Sequence, residues 1–261
     1  MRLSALYRYP LKSGRAKSLP EVSVDAIGID GDRRWMLVDA RGRMITGREH
    51  PALVLVDVHA GTDDAVFNAP GCQPLQVRCD SFAVEQACDV WKNRFVARRG
   101  NKDADHWFSA YLGIECSLLY LGSVSNRRLP AEPDIPLSFA DGYPLLLIGQ
   151  SSLDDLNSRL RRPVPMIAFR PNLVIEGANA YAEDRWRHVR IGEVRLEAAK
   201  PCTRCIFTTV DPQRGEKSAD REPLLTLARY RRIDIGTCFG MNLIVRSGGR
   251  VRVGDTLEVS D

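Results

Sequence analysis

A mostly β chain with a few helices (α+β) is the fold class the sequence predicts. Three observations carry it: period-two apolar alternation in many short runs, turn signals between those runs, and few segments with helical spacing. Short strands at such spacing curl into largely antiparallel sheets or small barrels. From the N-terminus the β-like runs are "LSALYRY", "VSVDAIGI", "RRWMLVD", "RMIT", "ALVLVDVHA", "PLQVRC" and "RFVAR", separated by "DGD", "ARGR" and "APG". In "DADHWFSAYLG" the spacing of Trp107, Phe108 and Leu112 predicts a helix closed by Gly113. The strand "CSLLYL" follows.

"SNRRLPAEPDIPLSFADGYP" is rich in Pro and polar residues and reads as a long loop of the kind that often carries function. "LLLIG" is a buried strand leading into "QSSLDDLNSRLRR", a helix that Ser151 or Ser152 can cap and whose Leu153, Leu156 and Leu160 share one face. "PNLVIEG" and "EVRLEAAK" are strands, "EPLLTLARYRR" is an amphipathic helix, and the closing "GMNLIVRSGGRVRVGDTLEVS" gives two strands around a Ser-Gly-Gly turn.

With 261 residues the chain can bury one large core or two smaller ones. A hydrophobic content of 44%, a charged content of 27% and a net charge of +4 describe an ordinary globular protein. Its Lys and Arg residues are interspersed with acids, so nucleic acid is not an indicated partner. The sequence has no membrane-spanning apolar run and its start lacks a leader pattern, so a cytoplasmic location without membrane association is expected. The seven cysteines (Cys72, Cys79, Cys88, Cys116, Cys202, Cys205 and Cys238) are odd in number and widely spread, which suits a reducing compartment.

The chemistry concentrates in "KPCTRCIFTTVDP", Lys200 to Pro212. A dithiol redox pair needs a helix N-terminus after its strand, and "IFTTV" has strand composition instead. A structural zinc site needs four ligands, and no second Cys-x-x-Cys or close His pair accompanies this one. Two small buried hydrophobes near a turn remain a possible reading. Arg204 between the thiols and Lys200 before them favour thiolate, the form that ligates a soft metal.

The stretch "PCTRCIFTTVDPQRGEKSADREPLLTLARYR" resembles the MOSC (molybdenum cofactor sulfurase C-terminal) domains, in the subgroup of YcbX-type proteins and the mitochondrial amidoxime-reducing component. "SSLDDLNSRL", "FRPNLVIEG", "YAEDRW" and "VGDTLEV" extend the likeness, and "YPLKS" and "GDRRWMLVD" resemble the β-barrel domain that precedes MOSC in this subgroup. The resemblance implies a smaller β-barrel-like domain over residues 1–120 and a MOSC β-barrel domain over 121–261, with the chain's first strand able to pack with the second.

It further implies a molybdenum cofactor with Cys205 as the metal's protein ligand and catalytic residue, and Cys202 as a bystander. Cofactor contacts fall on Lys12, Ser13, Arg33, Asp141, Gly142, Tyr143, Arg170, Asn172, Thr203, Arg204 and Asn242. The implied activity is reduction of small N-hydroxylated molecules: hydroxylamines, amidoximes or N-hydroxylated bases. Since the sequence holds no plant-type Cys-x4-Cys-x2-Cys motif for an iron–sulfur cluster, electrons are expected from a separate ferredoxin, flavoprotein reductase or cytochrome. The alternatives are a persulfide-carrying sulfur-transfer protein and a non-catalytic molybdopterin carrier.

Overall fold

A computed structural model describes residues 1–122 and 124–260. Its largest sheet curls into a barrel. In ring order the strands are Arg2–Arg8, Leu173–Glu176, Leu145–Gly149, Gly236–Ser247, Val194–Thr203, His188–Ile191 and Leu257–Ser260. Closure comes from the two chain ends: Leu257 N–H donates to Met1 O at 2.9 Å and Leu3 N–H to Asp255 O at 2.9 Å. All ring pairs are antiparallel except Leu145–Gly149 with Leu173–Glu176. Alternating apolar positions point inward, so Leu3, Leu6, Leu147, Leu173, Ile191 and Leu243 meet in one fully covered core.

A second β region has the sheet Trp35–Val38, Ser117–Tyr120, Asn93–Arg99, Val84–Val90 and the meander Asp57–Ala60, Asp64–Asn68, Leu75–Arg78. The helix Lys102–Leu112 closes it. Asn101 caps that helix by accepting from Ala104 N–H, and Gly113 ends it in the left-handed conformation with φ of 68°. Edge-to-face contacts of Trp35 and Phe108 with Phe67 knit helix to sheet. The opening strands are shared with the far end of the chain, since Arg2–Arg8 joins the barrel and Glu21–Asp25 pairs with Gly249–Arg252.

Several local expectations give way to identifiable competitors. Residues of "ALVL" form the 3-10 helix Pro51–Leu55, because Pro51 suits a first helical position and Leu53 N–H turns back to His50 O. "RMIT" keeps two isolated bridges, Met44 to Val38 and Arg43 to Asp89. "IFTT" is also a 3-10 turn, with the Thr208 and Thr209 hydroxyls bonded to the carbonyls of Cys205 and Ile206. Local bonds of this kind compete with a strand ladder.

The helix Gln150–Ser158 has Gly149 as its N-cap with no side-chain bond. Ser152 is drawn instead to Glu183 and to Tyr181 N–H, and Ser151 to Ala178 O. The long loop contains a small hairpin, Arg128–Leu129 with Glu132–Pro136. The strands beside Ser-Gly-Gly do not pair with each other, as Gly249–Arg252 crosses to Glu21–Asp25.

Replacing Leu243, fully buried at the barrel centre, by Ala should cost ~2 to 5 kcal/mol of unfolding free energy. Urea titration followed by circular dichroism measures it, and a loss of less than about 1 kcal/mol would contradict this packing.

Candidate functional site

A cavity of about 410 Å³ lies where stretches distant in sequence converge, and every one of the twelve singled-out positions lines it. The turn after the first strand brings Lys12 and Ser13, and Arg33 follows from the next crossing. The long loop brings Asp141, Gly142 and Tyr143, and the turn before Leu173 brings Arg170 and Asn172. Thr203, Arg204, Cys205 and Asn242 come from the two long barrel strands and the turn after the first of them. Six non-glycine residues have left-handed φ among the described residues, and four of them, Ser13, Arg33, Trp91 and Arg170, line this cavity. Strained backbone that the surrounding fold must hold is characteristic of functional sites.

The wall is built from buried cations. Tyr9, fully buried, is held between two guanidiniums, Arg33 at 4.5 Å and Arg170 at 4.1 Å from its ring centroid. Its hydroxyl donates to Pro171 O at 3.1 Å. Arg33 is also paired with Asp32 and donates to Asn172 Oδ1 at 3.0 Å. Arg170 donates Nη1–H to Gly14 O at 2.7 Å, while its buried Nη2 has no partner among the described residues. Burial, then the neighbouring Arg33 charge, lowers the Arg170 guanidinium to about 10.

Lys12 donates to Phe139 O at 2.7 Å and to Asp141 Oδ1 at 2.5 Å, yet burial lowers its ammonium to about 8. The cavity wall disfavours charge on Asp141, but Lys12 and Arg48 hold its carboxyl well below the usual carboxylate range. Arg127, itself buried, fixes the Asp141 loop by donating to the carbonyls of Ser138, Ala140 and Asp141. Beside it, a Cβ added at Gly142 would meet no atom within 4 Å, so the loop leaves space for a ligand edge.

At the other end stands Cys205, a free thiol. The sequence points to Arg204 as its stabilising cation, and the geometry corrects this. Arg204 turns away to donate to Phe239 O at 2.7 and 2.8 Å and to Phe169 O at 2.9 Å, tying two barrel-side segments together. The cation at the sulfur is Arg48, whose Nε–H donates to Cys205 Sγ at 3.1 Å and whose Nη2–H donates to Asp141 Oδ2 at 3.1 Å.

Nothing in "MITGREH" singles Arg48 out, since its partners lie about a hundred or more residues away in the chain. Gly47 makes the placement possible, because a Cβ there would stand 2.3 Å from Phe207 Cε2. Cys202 lines the same cavity but packs against apolar neighbours, and burial pushes its thiol up. Lys200 approaches the Tyr143 ring at 5.4 Å.

Among the described residues no group of three or more His, Cys, Asp or Glu side chains is placed to hold an ion. A metal at Cys205 must therefore arrive carrying most of its own ligands. The Arg48-bonded Cys205 thiol, a cluster of fixed cations and an unpartnered buried guanidinium nitrogen suit an anionic, prebuilt metal cofactor and do not suit a bare ion.

Fold and cavity thus define a class: a two-part β protein whose cleft pairs a cation-bonded thiol with a cation-lined anion pocket. The chain belongs to the MOSC family, matching the MOSC domain over residues 134–258 and the MOSC N-terminal beta barrel domain over 1–115. It is 34% identical to mitochondrial amidoxime-reducing component 1 of Mus musculus, over 97% of this chain and 80% of that protein. Against mitochondrial amidoxime reducing component 2 of Rattus norvegicus the identity is 34%, over 97% and 81%. Against component 1 of Homo sapiens it is 31%, again over 97% and 81%.

Two outcomes follow. Raising pH through about 8 removes the Lys12 proton while Asp141 stays ionised, so the free pocket loses one positive charge. Calorimetric titration with sulfate, whose own charge is constant over this range, should show affinity falling between about pH 7 and 9, and Lys12→Met should remove that dependence. Gly47→Ala should lower stability by ~1 to 3 kcal/mol through overpacking. Adding Phe207→Leu should recover most of it, and an equal melting temperature for wild type and Gly47→Ala would refute the contact.

Proposed function

We propose that the protein is a molybdenum-dependent reductase of N-hydroxylated compounds. The observation that carries this reading is the Cys205 thiol, bonded by Arg48 at the end of a cation-lined cavity, with no group of three or more metal-ligating side chains among the described residues. The relatives' names, amidoxime-reducing components, supply the reaction class. The net change is R–NHOH plus two electrons and two protons to R–NH2 plus water. Bound at this site, the molybdenum cofactor would supply the two-electron redox chemistry.

The chain's residues do the rest. Lys12, Arg33 and Arg170 hold the anionic end, with Ser13 and Asn172 offering hydrogen bonds. Asp141, Gly142 and Tyr143 would offer polar groups to the cofactor's ring system. Cys205 would be the protein ligand to the metal, with Thr203 and Asn242 lining the same cavity. Arg48 donates a hydrogen bond to the ligand sulfur, which orients it and offsets its charge. Arg204 shapes the wall from behind. A separate electron donor, a ferredoxin, flavoprotein reductase or cytochrome, completes the cycle.

Protein made in a cofactor-competent host should contain molybdenum and pterin in equal amounts and reduce an amidoxime with an artificial donor. Cys205→Ser should abolish turnover, a loss of more than about a hundredfold, while Cys202→Ser retains most of it. Loading without turnover would favour a carrier, and cyanide-releasable sulfur on Cys205 without molybdenum would favour persulfide transfer. Equal loss in the two variants would undo the choice of ligand.

A further inference from the structure

Trp91 occupies the tip of the hairpin between Val84–Val90 and Asn93–Arg99. Val90 pairs with Asn93, leaving Trp91 and Lys92 as a two-residue turn. Its φ of 60° is one that Gly or Asn adopts cheaply and a bulky side chain does not. Burial of the indole does not offset that strain, because Trp91 is 52% exposed and lines the cavity. What fixes it is Arg48, whose guanidinium lies 4.2 Å from the ring centroid. The same guanidinium bonds to Cys205 Sγ and Asp141 Oδ2, each at 3.1 Å. An exposed aromatic face is thereby tied, through one planar cation, to the thiol and the carboxylate of the reacting end.

We propose that Trp91 is a specificity residue, the platform on which a planar, conjugated N-hydroxylated head group stacks beside Cys205. It makes the enzyme favour amidoximes and N-hydroxylated bases over non-planar aliphatic hydroxylamines. The inference rests on the reductase reading above. Its geometric basis is the group already stacked there. A guanidinium is a planar carbon–nitrogen unit of the shape of an amidine, and it satisfies the indole, the sulfur and the carboxylate at once. A planar amidine-type head stacked on the part of the half-exposed ring that Arg48 leaves free would lie beside the guanidinium, near the thiol and the carboxylate that Arg48 holds. Aromatic stacking of this kind needs a flat π-face, which an aliphatic hydroxylamine lacks.

Cofactor-loaded wild type, Trp91→Phe and Trp91→Leu are to be assayed with benzamidoxime and with an aliphatic N-alkylhydroxylamine, with molybdenum content measured in each. Trp91→Leu should lower the benzamidoxime-to-aliphatic ratio of kcat/KM roughly fivefold to tenfold. The change should lie in KM, and Trp91→Phe should recover most of it. An unchanged ratio, or molybdenum lost from Trp91→Leu, would overturn the platform. In parallel, cofactor-free protein is titrated with benzamidine, which cannot be reduced. Fluorescence quenching present in wild type and absent in Trp91→Phe supports the platform, and quenching independent of Trp91 overturns it. Wild type that reduces neither substrate while benzamidine still quenches Trp91 would overturn the reductase reading and support the platform.

Discussion

Crowding several positive side chains into one cleft is the constraint on which this site depends. Left alone, Lys12, Arg33, Arg48, Arg170 and Arg204 would repel one another and resist burial. Each is offset by a different device. The Tyr9 ring takes two guanidiniums on its π-system, Asp32 pairs with Arg33, Asp141 is shared by Lys12 and Arg48, and backbone carbonyls satisfy Arg204. The compensation is incomplete by one nitrogen of Arg170 and by the lowered proton affinity of Lys12. A residual excess of positive charge in a partly dry cavity is what an anionic ligand relieves.

That arrangement requires a scaffold that can bear strain. The barrel closes through the bonds of Met1 and Leu3 to Asp255 and Leu257, so the first strand is anchored before the chain turns through Lys12 and Ser13. The long strands Val194–Thr203 and Gly236–Ser247 carry Cys202, Thr203 and Asn242 on one rigid wall. Arg127, buried beneath the Asp141 loop, turns what looks like a flexible segment into a fixed edge. Left-handed backbone at Ser13, Arg33 and Arg170 is affordable because rigid neighbours hold each of them.

Many strands were legible because alternation and turn residues act locally: "LSALYRY", "CSLLYL", "LLLIG" and "PNLVIEG" all appear as strands. The helix ending at Gly113 was legible for the same reason. The 3-10 turns at Pro51–Leu55 and Ile206–Thr209 were not, because the apolar run of the first and the β-branched residues of the second hid the influence of Pro51 and of the two threonine hydroxyls. The ring strands' partners were hidden as well, since Arg2–Arg8 and Glu21–Asp25 bond to residues far along the chain.

By itself the sequence determined the β-rich class, a thiol pair beside basic residues and, through likeness of its motifs, the positions that converge on one cavity, Cys205 among them. Residue type and short spacing carry that much information. Only the tertiary structure decided which cation touches the sulfur, because Arg204 sits next to Cys205 in the chain and yet points elsewhere. Arg48 reaches the sulfur because Gly47 lets its loop settle on Phe207 and because Trp91 gives its guanidinium a face to rest on. Those contacts join residues with no sequence relation, and their energies exist only once the chain has closed on itself.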